Sequence, residues 1–414
     1  MYQKTVLPAG VTVVTEEKQT FPSVAVGFWV NVGSKWESPA QAGASHLLEH
    51  LLFKGTSKYS AREIAETFDS VGGQLNAFTS KEHTCYYARV LTDHFALAID
   101  VLSEMFLRPK LSPKDVVREK MVVQEEINMY EDSPDELVHD LLAKTVWPQH
   151  PLGRRILGDK KSVLNLAPEE VHSFFRQHYR PTNLVISVVG NIKHEQVVST
   201  CEKYFNSTEV GQAKRLSQEA PGYNARSDTF IRDLEQVHLC LGAPGVAIND
   251  DRLYTMDVAN CILGGGLSSR LFQRIREERG MAYSIFSYHS AYQDNGLLTI
   301  YVGLNRGNIK PGIDLIRQEL EAMANMPVTI EELKRAKQQI WGNFLLGLES
   351  TTNRMIRLAK QELSLKRWVS LDEVQAKINA VTATNIQEQC LRLFQPDTMA
   401  VVSLGPLDTE VAIW

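Results

Sequence analysis

Slid against itself by 213 residues without gaps, the chain aligns Ser23–Gly33 with Gln236–Val246 and the region 73–91 with 286–304. A self-match at that period describes two duplicated domains, whereas a solenoid repeats every 20–50 residues or so. The 414 residues are long for one hydrophobic core and suit two domains of about 200. VTVVTEE (11–17) and SVAVGFWVNVGS (23–34) alternate and are rich in β-branched residues, which predicts strands. Residues 41–54 read as a helix ended by Gly55, and 60–73 as a second helix with a glycine stop. A hairpin is expected over 73–91 and a helix over 95–107. Ser112 as N-cap with Pro113 at the first helical position then opens a long helix to about Tyr130. NLVISVVGNI (183–192) reads as a buried strand, and the polar segment 206–228 as a linker. The expected fold is α+β: two homologous domains, 1–205 and 229–414, each a mixed or antiparallel sheet packed with helices.

One stretch sits badly in a structural role. GASHLLEHLLFKGT (43–56) places His46, Glu49 and His50 inside a leucine-rich run, and burying an unpartnered carboxylate costs several kcal/mol. On a helix, residues i, i+3 and i+4 share a face, so the three project together. Two neutral imidazoles one turn apart bind a single cation, and nitrogen donors suit zinc. Glu49, not needed as a ligand, is placed to take a proton from a bound water. The spelling H-x-x-E-H is the inverzincin form of a zinc-peptidase motif. At the 213-residue shift His46, Glu49 and His50 fall on Ala259, Ile262 and Leu263. The repeat therefore does without these polar groups, which argues that they serve chemistry in the first half.

A catalytic zinc takes three protein ligands. The long helix offers Glu119, Glu125 and Glu126 on an otherwise half-apolar face. Glu119 and Glu126 are two turns apart on one stripe; periodicity leaves Glu125 and Glu126 both open as the third ligand. GGGLSSR (264–270) lacks the lysine and spacing of a phosphate loop and reads as a tight turn after a helix.

HLLEHLLFKGT, GGQLNAFTSKEHTCYY, VVQEEI, PLGRRILG and GGGLSSRLFQRIREERGMAYS together resemble the pitrilysin/insulinase zinc metallopeptidases. The similarity is to the half-length branch that includes the mitochondrial processing peptidase β subunit and its bacterial relatives, and it covers almost the whole chain. It implies one zinc per chain on His46, His50 and Glu126, the family placing its third ligand 76 residues after the second histidine. It implies Glu49 as the catalytic base and Glu119 as an acid that orients a ligand. Gly73, Asn76, Ala77 and Phe78 match the edge strand on which the family holds extended peptide by main-chain bonds. Arg276 and Tyr283 match a cation and a phenol that steady the oxyanion from the second domain. The implied assembly is half of a clamshell, closed by dimerisation into a chamber for peptides or unfolded segments.

Composition narrows the alternatives. With a net charge of −5, a nucleic-acid partner is not expected. No run approaches the roughly 18 apolar residues of a membrane span, and MYQKTVLPAGVTVVTEEKQT lacks the apolar stretch of a secretory signal. Five scattered cysteines without a CxxC pair fit reduced thiols. A cytoplasmic enzyme is expected, although a mature organellar form has the same signature. A homodimer is expected, with two alternatives: a catalytic subunit active only with a homologous partner chain, or a non-enzymatic assembly subunit of the same fold. The latter class typically loses the zinc ligands, and all are present here.

Overall fold

The computed structural model describes residues 2–206, 220–407 and 411. Its residues fall into two compact units, neither of them continuous in the chain. One comprises Met1–Asn128, Arg154–Gln218 and Gly347–Trp368; the other comprises Met129–Gly153, Glu219–Leu346 and Val369–Trp414.

The first unit is built on a six-stranded sheet. Its strands are β1 (Tyr2–Val6), β2 (Thr12–Glu17), β3 (Ser23–Val30), β4 (Gln74–Thr79), β5 (Thr84–Leu91) and β6 (Leu184–Gly190), in the order β1-β2-β6-β3-β5-β4. All neighbours are antiparallel except β2 and β6. The second unit holds β7 (Ser227–Ile231), β8 (Val237–Pro244), β9 (Ile285–Ala291), β10 (Gly296–Leu304) and β11 (Ala400–Gly405), in the order β7-β11-β8-β10-β9. Apart from β1 the two orders correspond strand for strand, with β7 and β11 the one parallel pair. Each is a mixed sheet packed by helices, the α+β pair expected from the repeat. Most of the expected linker, 207–219, lies outside the described residues, and Ser227 and Asp228 at its end already belong to β7.

Both faces of each sheet are apolar, and each needs cover on both sides. Side chains alternate along a strand. In β3, Val24, Val26, Phe28 and Val30 face a core shared with Leu47, Leu48, Leu51 and Leu52 of the helix Ala44–Leu52. Ala25 and Trp29 face the other way, with Val14, Cys85, Val185 and Val189, onto Met355, Leu358, Ala359 and Leu363 of the helix Thr351–Leu365. That helix comes from the second half of the chain. Gly27 admits it, because a Cβ there would overlap Met355 Sδ. Trp29 Nε1–H donates to the same sulfur at 3.3 Å, and Ser187 Oγ donates to Met355 O at 2.9 Å. The second sheet is covered reciprocally by Pro134–Val146, from the first half. Its Leu137, Val138, Leu142 and Val146 pack on Cys240, Tyr301, Val402 and Leu404. Relative to the expected boundaries at 205 and 229, each unit thus takes in one helix from the other half of the chain.

Candidate metal centre

The helix Ala44–Leu52 is held at its start by a residue outside it. Its N-cap, Gly43, has φ 95°, a left-handed conformation that glycine adopts without penalty. A Cβ at this position would also crowd Leu157 O at 2.8 Å. Glu37 takes the place of a capping side chain. Its Oε2 accepts from Gly43 N–H at 2.9 Å and its Oε1 from Ser45 N–H at 2.7 Å. A carboxylate there also complements the helix dipole. Arg154 donates to Glu37 O, and Lys81 donates to Arg154 O. With its leucines in the core, the helix turns His46, Glu49 and His50 to the opposite face.

The helix Pro113–Glu131 brings up the third group. Val116, Val123 and Ile127 bury one stripe, and the intervening turns carry Glu119 and Glu126 to the histidines. Glu126 Oε2 lies 3.5 Å from His46 Nε2 and 3.6 Å from His50 Nε2. One donor atom from each of the three residues falls within 4.8 Å of the others. These spacings suit a shared cation. Around a zinc with ligand bonds of about 2.0–2.1 Å, tetrahedrally placed donors stand about 3.3–3.4 Å apart. Glu125 is exposed, accepts from Asn128 Nδ2 at 3.3 Å, and does not join the cluster. The residues present therefore fit one zinc per chain, with Glu126 and not Glu125 in the set.

Burial sets the electrostatics. It drives the His46 imidazole down to about 3, helped by the charge of His50, so His46 is a neutral donor at any ordinary pH. Burial also raises the Glu126 carboxyl, against the pull of His50. Glu119 stands between Lys54 Nζ, at 3.0 Å from Oε1, and His50 Nδ1, at 3.5 Å from Oε2. Glu49 is raised by burial, opposed by a hydrogen bond from Thr79 and by His50. Thr79 Oγ1–H donates to Glu49 Oε2 at 2.6 Å.

Sequence reasoning passed over Thr79, Glu37 and Arg154. Thr79 and Arg154 fall inside the quoted motifs GGQLNAFTSKEHTCYY and PLGRRILG, but no helical or strand period links any of the three to the histidines. Of the proposed substrate strand, Asn76, Ala77 and Phe78 lie on β4, and Gly73 immediately precedes it. β4 is an edge, paired with β5 alone. Ala77 N–H donates to Asn76 Oδ1 at 2.7 Å, so a neighbouring side chain satisfies a main-chain donor. Arg276 and Tyr283 belong to the second unit. Arg276 lies on the π-helical turn Phe272–Glu277, and its guanidinium carbon stacks 4.9 Å from the ring centre of Tyr283, a side chain 81% exposed. Where the first half has its ligands, the second has the buried residues Ala259, Ile262 and Leu263 on the helix Leu253–Leu263.

Duplicated α+β units, one with a His-His-Glu cluster and the other without one among the described residues, define a zinc metallopeptidase architecture. The profile of the insulinase family, peptidase family M16, matches residues 12–160, and that of the peptidase M16 inactive domain matches 165–340. The chain is 43% identical over 395 residues to the uncharacterized zinc protease YmxG of Bacillus subtilis, spanning 95% of this chain and 96% of that one. It is 41% identical over 392 residues to the uncharacterized zinc protease SCO5738 of Streptomyces coelicolor, covering 93% and 85% of the two chains. The crystal structure of a protease from Helicobacter pylori shares the fold at a TM-score of 0.92 and 22% identity, over 98% of this chain and 99% of that chain. The chain belongs to the insulinase family, peptidase family M16, and carries the fold and ligand set of its zinc metalloendopeptidases.

Proposed function

We propose that the protein is a zinc-dependent endopeptidase that hydrolyses peptides or unfolded segments with Glu49 as the proton acceptor. The observation that carries this reading is the placement of Glu49. It stands between two metal-facing histidines on one helix, with Oε2 held by Thr79, and among the described residues no hydrogen bond reaches Oε1. A zinc ion held by His46, His50 and Glu126 supplies Lewis acidity, acidifying water and polarising a carbonyl. The protein's own groups do the rest. Substrate adds to the open edge of β4 as an extended strand, which reads main chain more than sequence. Glu49 Oε1 takes a proton from the attacking water as its oxygen bonds to the scissile carbonyl carbon. The same proton passes to the amide nitrogen as the C–N bond breaks. Arg276 and Tyr283, stacked and exposed, offer a cation and a phenol to the oxyanion. Two chains pair so that substrate is enclosed. All five cysteines are buried and free, which supports a reducing, cytosol-like compartment. Among the described residues no helix is long and apolar enough to cross a membrane.

The test compares three variants for zinc content and peptide cleavage. Glu49→Gln keeps about one zinc per chain and loses about 100-fold or more in kcat, the usual worth of a general base. Glu126→Gln loses zinc, and Glu125→Gln keeps both zinc and activity. Near-native cleavage by the Glu49→Gln protein overturns the assignment of the base.

A further inference from the structure

We propose that Thr79 is a positioning residue for Glu49, tying the proton acceptor to the end of the strand on which substrate lies. The inference rests on the reading of Glu49 as the base. Thr79 is the last residue of β4, opposite Thr84 of β5. Its hydroxyl donates to Glu49 Oε2 at 2.6 Å, the short separation of a bond to a charged acceptor. A carboxylate on a flexible side chain has two equivalent oxygens and free rotation about its last bond. Fixing one oxygen settles where the other points, and among the described residues the other, Oε1, carries no hydrogen bond. Glu49 and Thr79 are 30 residues apart, so this bond is a tertiary contact and not a product of helix geometry.

The backbone that carries the hydroxyl is itself braced. In the turn after Thr79, Ser80 Oγ donates to His83 O at 2.8 Å and accepts from His83 N–H at 3.0 Å. Ser80 O and Lys81 O accept from Ser34 and Lys35 N–H at 3.2 and 2.7 Å. Lys35 and Glu82 form a buried ion pair at 3.1 Å. This same 33–37 loop ends in Glu37, the residue that caps the histidine helix. The hydroxyl therefore stands on a frame connected to both ends of the site. Threonine suits the task because β-branching restricts χ1. A peptide that hydrogen-bonds along β4 stiffens the strand up to Thr79, so main-chain binding is conveyed to the orientation of Glu49 and is felt in kcat.

The experiment measures zinc content, thermal unfolding, KM and kcat on an unfolded peptide for four variants of the full chain. Thr79→Val removes the donor at nearly constant shape. The expected result is unchanged zinc and KM with kcat lowered about 10- to 100-fold, the scale on which small misplacement of a reacting group acts. Thr79→Ser restores most of kcat. In a Glu49→Gln background Thr79→Val has no further effect, because the group it positions is gone; a merely structural role would lower the residual rate again. If Thr79→Val does not fold, Thr79→Ala makes the same comparison against Thr79→Ser. Wild-type kcat in a folded Thr79→Val or Thr79→Ala protein overturns the inference while an inactive Glu49→Gln protein leaves the base standing. An active Glu49→Gln protein overturns both.

Discussion

Glu37 shows how one side chain outside the metal cluster governs the residues that face it. It is 2% exposed, and burial pushes its carboxyl up to about 7, against the pull of the Ser45 and Gly43 N–H groups and of Arg154. A carboxyl raised in the folded state binds more protons there than in the unfolded chain between about pH 4.5 and 7. Its contribution to stability is therefore greatest below that window and falls as pH rises through it. The size is roughly 3 kcal/mol across the window, from about 1.4 kcal/mol per pH unit. In chelator-treated protein, wild type is expected to lose stability relative to Glu37→Gln by that order as pH goes from 4.5 to 7.5, measured by urea unfolding. A difference that stays flat with pH contradicts the raised carboxyl. The amide also places an NH2 group against one of the two backbone donors, so Glu37→Gln tests the cap and the charge together. At pH 4.5, where the charge is largely absent in both proteins, the cap alone is read.

At the scale of elements, the exchanged helices decide what folds with what. Without Thr351–Leu365 the first sheet exposes Val14, Ala25, Trp29, Cys85, Val185 and Val189, all at most 5% exposed in the whole chain. Each large apolar side chain returned to water costs about 1.5–3 kcal/mol, and the three valines and Trp29 together lose an amount comparable with the 5–15 kcal/mol by which domains are typically stable. A fragment 1–205 is therefore expected to aggregate or unfold without cooperativity and to hold zinc poorly. Co-expression with a segment carrying Gly347–Trp368 is expected to recover soluble, zinc-binding protein. A soluble fragment 1–205 with native zinc affinity would show that the helix is dispensable. The edge strands β4 and β9 occupy corresponding places in the two sheets, yet among the described residues only the unit with β4 has a cluster of candidate ligands.

For the whole molecule, the described residues supply one unit with a metal cluster and one without, and the proposed enclosure needs a second copy. A dimer is expected in analytical ultracentrifugation, with peptidase activity tracking the dimer fraction on dilution. Unfolded peptides of some tens of residues are expected to be cut, while a stably folded protein containing the same segment survives, because an added strand must be extended to bind β4. Full activity in a demonstrated monomer, or rapid cleavage inside the folded protein, would remove the enclosure and leave the metal centre intact. A zinc-loaded dimer with no peptidase activity would favour a catalytic subunit that needs a homologous partner chain.

Much of this was legible in residue order because it depends on short-range periodicity. His46, Glu49 and His50 share a face by helical spacing alone, and Glu119 and Glu126 lie two turns apart on one stripe. The 213-residue repeat implied two like sheets, and Ala259, Ile262 and Leu263 showed which half lacks the His-Glu-His triplet. The motifs, through the family they resemble, singled out Glu126; the packing of two helices is what places its oxygen 3.5 Å from His46 and leaves Glu125 outside. Other features had no period to betray them. Thr79 reaches Glu49 across 30 residues, and Trp29 meets Met355 across 326. Glu37 caps its helix from outside any local capping pattern. Such contacts are selected by whether the assembled core leaves a polar atom unsatisfied or an apolar face uncovered, and only the tertiary structure determines that.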